Sequence, residues 1–111
     1  MKFMMFVATD SEPDASPEKP GDIERWLDET ADQRITGERL RPARDAKTIR
    51  VRDGKILVIE GPFADTKDAI VGFDILECAS TEEAVAIAAK HPMARAGRLE
   101  LRAFWPFEDE T

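Results

Sequence analysis

Cysteine occurs once in the 111 residues, at Cys78, and histidine once, at His91. A lone cysteine excludes an intrachain disulfide, and these counts leave too few soft ligands for a metal centre. They predict a reducing, cytoplasmic setting and no metal. No glycine-rich phosphate loop is present, so no nucleotide cofactor is expected either. Long apolar runs are missing too. Nothing approaches the ~20 residues that span a bilayer, and the opening Met1 to Ala8 is too short for a secretory signal core. Positive charge is in deficit, with 16 Lys plus Arg against 23 Asp plus Glu and a net charge of −7. Such a chain repels phosphate backbones, which argues against nucleic acid as a partner; for want of an apolar span, no membrane partner is expected either.

What is present suffices for one modest core, since 42% of the residues are hydrophobic. The sequence predicts a single domain over residues 1–106 and an acidic tail over residues 107–111, built on Glu108, Asp109 and Glu110. A chain of this size buries only about two-thirds of its unfolded surface, so a homodimer is the expected assembly. Asp10, Glu12 and Asp14 make an acidic loop. A basic stretch runs through Arg34, Arg39, Arg41, Arg44, Lys47, Arg50, Arg52 and Lys55. It reads as a solvated strand face, with an anion-binding groove as the alternative.

Phe3 to Ala8 is an unbroken apolar run, the pattern of a central strand. Asp10 to Pro20, with Pro13, Pro17 and Pro20, is a loop placed where a lid would sit. Ile23, Trp26, Leu27, Thr30, Ala31 and Ile35 recur at helical spacing and predict a first helix that stops near Gly37. Trp26 on that stripe reads as core, or as a platform for a stacked ligand. Asp53-Gly54 between two alternating runs predicts a type I′ hairpin, pairing Val51 with Ile56, Ile49 with Val58 and Arg50 with Leu57. The arginine face should be the wetter one. Ile70 to Cys78 is a further strand, in which Asp74 shares a face with Gly72 and Leu76. Asp74 is either exposed at a sheet edge or a carboxylate projecting into a pocket. Ser80-Thr81-Glu82-Glu83 is a capping box that opens a second helix, ending before Pro92 with His91 in its last turn. Leu99, Leu101 and Ala103 alternate with charges in a last strand. Strand, helix, hairpin, strand, helix, strand amounts to an α+β, ferredoxin-like arrangement with an antiparallel sheet, two helices and an added β-hairpin.

Glu60-Gly61-Pro62-Phe63, continuing Ala64-Asp65-Thr66-Lys67, resembles the motif of the DGPF branch of the YCII-related family. Met1 to Met5, Val51 to Lys55, Gly72-Phe73, His91-Pro92, Arg95, Gly97 and Leu101-Arg102 are similar to that family at their places along nearly the whole chain. The resemblance implies a dimeric α/β barrel with a pocket between sheet and loops in each protomer. It implies lyase- or dehalogenase-like activity on small ring lactones in some relatives, and a His and Asp pair in others. For many DGPF-type members it implies a non-enzymatic accessory role beside extracytoplasmic-function sigma factors. This chain departs from the motif at Glu60, where aspartate is usual. Its sole histidine, at the end of the second helix, does not map onto the relatives' His and Asp pair.

Two classes of function follow. In an enzyme, Glu60 or Asp65 acts as general base and His91 shuttles a proton, while Lys67 or Arg95 holds a small anionic ligand beside Gly61, Pro62 and Phe63. In a binding or regulatory module the same segment holds a ligand or partner without turnover. The competing structural reading makes Gly61-Pro62 a turn and Phe63 a core plug.

Overall fold

The computed structural model describes residues 1–16, 19–63 and 67–107. Pro17, Ala64, Asp65, Thr66, Glu108, Asp109 and Glu110, singled out above, lie outside the described residues. β1 (Lys2–Thr9) is followed by α1 (Asp22–Glu29), β2 (Arg34–Arg39), a hairpin of β3 (Lys47–Arg52) and β4 (Lys55–Glu60), and β5 (Ile70–Glu77). The chain closes through α2 (Thr81–Ala89), the short α3 (Met93–Ala96) and β6 (Gly97–Ala103). Four strands form one sheet in the order β2-β5-β1-β6 with every neighbouring pair antiparallel, the ferredoxin-like order. β3 and β4 make a separate two-stranded sheet. No helix among the described residues is long and apolar enough to cross a membrane.

The apolar run of β1 places it in the middle of the sheet, as its sequence predicts. Phe3, Met5 and Val7 are buried, and in β5 the alternation puts Gly72, Asp74 and Leu76 on that same covered side. Trp26 and Ala84 and Ala88 of α2 close the core over them. The two helices are tied together where Trp26 Nε1 donates to the Ile87 carbonyl at 2.9 Å. Met4, Phe6, Phe73 and Ile75 point to the opposite face and are half-buried.

The first helix is shorter than its apolar spacing predicts. It ends at Thr30, whose buried hydroxyl donates back to the Trp26 carbonyl at 2.7 Å and so competes with helical bonding. Turn bonds from Gln33 and Arg34 N–H to the Thr30 carbonyl then reverse the chain. Arg34 to Arg39 pair with β5 as a strand that the helical reading of Ile35 and Gly37 had absorbed. That missing strand completes the ferredoxin-like sheet.

The hairpin forms as its sequence predicts, with positive φ at Asp53 (52°) and Gly54 (74°) and the expected pairs in register. Both of its faces are open, however: Ile49 and Ile56 are 65% and 73% exposed, and Leu57 and Ile59 on the arginine face are 40% and 52% exposed. The arm is bonded to itself and stands off the main sheet, so neither face meets the core of its own chain. In α2 the Ser80 hydroxyl accepts from Glu83 N–H at 3.1 Å, and the Glu83 carboxylate takes the Ala79 N–H, one residue earlier than a standard capping box.

Candidate functional site

Alternation along β5 and the turn after α1 together build an open cleft of about 930 Å³ on the helix-covered side of the sheet. Its roof is the apolar face of α1, including Ile23 and Leu27, and its mouth is the Leu40-Arg41-Pro42 segment after β2. The floor carries three polar side chains: Arg34, Asp74 and His91.

Asp74 is 6% exposed and is answered by Arg34, whose Nε donates to Oδ1 at 2.6 Å. Burying a carboxylate this deeply requires such a partner. Gly37, directly opposite Asp74 across β2 and β5, makes the pair fit. A Cβ there would lie 2.1 Å from Asp74 Oδ1 and 2.6 Å from Arg34 Nη2. The register shift between Arg34 and Thr36 accompanies this approach.

His91 follows α2 and is 7% exposed. Its Nδ1 accepts the Met93 N–H at 2.9 Å, and its ring lies edge-on to Trp26 with centroids 4.6 Å apart. Burial pushes the imidazole below its ordinary value near 6.5; Asp74 pulls it back up and Arg34 adds to the fall. Here the helix-end dipole does not account for the position of His91, because the ring turns inward to Trp26.

Two further arginines line the cleft. Arg41 is held by Asp45 at 3.0 Å, while Arg39 has no ion pair among the described residues. Part of the basic stretch thus faces a cleft rather than an open strand surface.

The motif residues sit elsewhere. Glu60 ends β4, exposed, with both carboxylate oxygens 2.8 Å from Lys47 Nζ. Gly61 closes the base of the hairpin, its N–H donating to the Ala46 carbonyl and its carbonyl accepting from the Thr48 hydroxyl. Pro62 and Phe63 line a second cavity of about 670 Å³, bounded by Met4, Phe6 and Phe73 on the other face of the sheet. Phe63 is 88% exposed and does not plug a core. Lys67 is exposed, and Arg95 reaches Asp22 at 3.5 Å. Glu60 and His91, paired in the sequence reading as catalytic candidates, therefore belong to different parts of the fold. The structure brings His91 together with Asp74 and Arg34 instead. Asp74 carried a readable signal, a carboxylate in register with Gly72 and Leu76; Arg34 carried none beyond its charge.

The thiol of Cys78 is buried and its pKa is raised, chiefly by desolvation, so it is not activated as a nucleophile. No group of three or more His, Cys, Asp or Glu side chains able to hold a metal occurs among the described residues.

Comparison with known proteins agrees with the fold. The family model described as the YCII-related domain matches residues 1–108. A protein of Rhizobium meliloti (strain 1021), described as uncharacterised, is 45% identical over 47 residues, covering 42% of this chain and 38% of that relative. The match thus spans well under half of that relative's length. On the family match, this chain belongs to the YCII-related domain family.

Proposed function

We propose that this YCII-related chain binds a small organic anion with an apolar body in the cleft over Arg34, Asp74 and His91. The observation that carries the reading is the buried Asp74 carboxylate, paired with the half-buried Arg34, set beside a buried histidine under an apolar roof. Polar groups converging beneath an apolar roof are a usual construction of a small-molecule site. Arg39 at the rim supplies a cation with no ion pair among the described residues, beside Glu38, which also lines the cleft. Lyase- or dehalogenase-like turnover would use this floor rather than Glu60, whose carboxylate is held by Lys47 in solvent.

The test is a thermal-shift titration with benzoate and short-chain carboxylates on wild type and Arg39→Ala. Binding to the folded state raises the melting temperature. The reading expects a shift in wild type that falls by half or more in Arg39→Ala. Equal shifts in both proteins, or none in either, contradict it.

A second reading concerns assembly. Ile49, Val51, Ile56 and Val58 form an exposed apolar face on an arm that is marginal as an isolated hairpin. Covering it with a second copy, as a homodimer, accounts for that composition. Light scattering on wild type and Val51→Lys tests it: the reading expects a dimer that the substitution weakens, and a wild-type monomer at ~100 μM contradicts it.

A further inference from the structure

The hydrogen bond from Met93 N–H to His91 Nδ1 has a chemical consequence. A backbone N–H at 2.9 Å requires a lone pair on Nδ1, so that nitrogen carries no proton. The neutral ring then carries its hydrogen on Nε2. Turning the ring over would present a carbon to Met93 N–H and forfeit the bond. The Trp26 ring, fixed by its own bond to the Ile87 carbonyl, packs against the imidazole and holds it in place.

Nε2–H is the remaining donor of the ring. No hydrogen bond from it to any side chain or backbone group occurs among the described residues, yet no buried side-chain nitrogen or oxygen among them lacks a partner. In a residue that is 7% exposed, both statements hold only if Nε2 reaches open space. His91 lines the cleft, so that space is the cleft. Asp74, the nearby carboxylate that could draw this proton, has Oδ1 bonded to Arg34 and makes no hydrogen bond to His91.

We propose that His91 works as a neutral, fixed hydrogen-bond donor, offering Nε2–H to a carbonyl or carboxylate oxygen of the bound molecule, and not as a proton shuttle. The ligand class follows from the donor: the atom seated on the floor must be an acceptor, and an ammonium group, which has no lone pair, is rejected there. Charging the ring would place a proton on Nδ1 against the Met93 N–H, beside the Arg34 guanidinium and in a desolvated site. Depression of the imidazole pKa by burial agrees with this. The same division, a neutral histidine as electrophile beside a separate carboxylate, is an established way of polarising a carbonyl. The tautomer is independent of the binding reading above; the role toward a ligand oxygen rests on it.

The chain has one histidine, so every imidazole signal of a 15N-histidine-labelled sample belongs to His91. Two-bond proton–nitrogen correlation at pH 7.5 should show the Nε2–H tautomer. The Nδ1–H tautomer, or an imidazolium, overturns the proposal. Benzoate is then added as the probe. The donor role expects the Nε2 signal to move, His91→Gln to keep benzoate affinity within about threefold because its amide can still donate, and His91→Leu to lose about tenfold. Equal losses in the Gln and Leu variants overturn the donor role. An Nε2–H tautomer that benzoate leaves unmoved, with no binding to wild type, overturns the ligand reading and leaves the tautomer standing.

Discussion

Gly37→Ala is the substitution that most directly tests how the floor of the cleft is built. In wild type the space beside Gly37 is filled by Asp74 Oδ1, Arg34 Nη2 and Asp74 Cγ, at 2.1, 2.6 and 2.8 Å from an added Cβ. All three distances are shorter than real Cβ contacts, and all three atoms belong to the one ion pair. The methyl must therefore push the pair apart. Overpacking a filled site costs about 1–3 kcal/mol, and separating a buried pair costs about 3–5 kcal/mol. Arg34 is 28% exposed on its side chain and can swing toward solvent, which reduces the second cost. Replacing glycine by alanine within a strand returns roughly 0.5–1 kcal/mol. The balance is a loss of about 2 kcal/mol, a fall in Tm on the order of 10 °C. Urea unfolding followed by fluorescence reads it, with Asp74→Ala as the second arm of a double-mutant cycle. Without the carboxylate the clash is relieved, so Gly37→Ala in that background should cost less than about 0.5 kcal/mol. Equal costs in the two backgrounds would mean that the methyl does not meet the Asp74 carboxylate.

Three further outcomes follow from the same contacts. The folded-state pKa of His91 lies below the unfolded value near 6.5, so the unfolded chain binds the proton first. Stability should be full above pH 6.5 and decline as the pH falls through the interval below it, a slope that His91→Gln removes; chemical denaturation across pH 5 to 8, roughly the window where histidine titrates, reads it. Asp10 and Asp22, whose carboxyls are depressed chiefly by the Arg98 and Lys19 N–H hydrogen bonds respectively, lose their contribution as the pH falls through their depressed values, below the range of this assay. Ser80→Ala, which removes the acceptor for Glu83 N–H, should cost about 1 kcal/mol in the same assay. Glu60→Gln breaks an ion pair whose side chains are 59% and 70% exposed, and should change stability by less than about 0.5 kcal/mol.

The parts of the fold legible in the sequence are those encoded locally. Asp53-Gly54 specifies its turn through backbone angles, Ser80 and Glu83 specify a helix start through a bond three residues long, and the alternation of β5 and β6 specifies faces. β2 was hidden because Ile35 continues the three- and four-residue spacing of α1; the chain reverses instead because the Thr30 hydroxyl and the following turn end the helix. The floor of the cleft was hidden for a different reason. Arg34 and Asp74 are 40 positions apart and meet only once β2 lies beside β5. His91 takes its tautomer from Met93 N–H, only two residues on, but its packing from Trp26, a contact that exists only after the chain has turned back on itself. Glu60 to Phe63 stood out by motif, yet Gly61 is engaged in closing the hairpin base and Glu60 is held by Lys47.

Two cavities on opposite faces of one sheet offer competing homes for a ligand, and amide chemical-shift mapping of 15N-labelled protein during a benzoate titration separates them. A ligand in the cleft should give the largest shifts at Arg34, Gly37, Arg39, Asp74 and Met93, around the Arg34–Asp74 floor. Shifts concentrated at Lys47, Thr48, Phe63 and Ile70, around the second cavity, would contradict it.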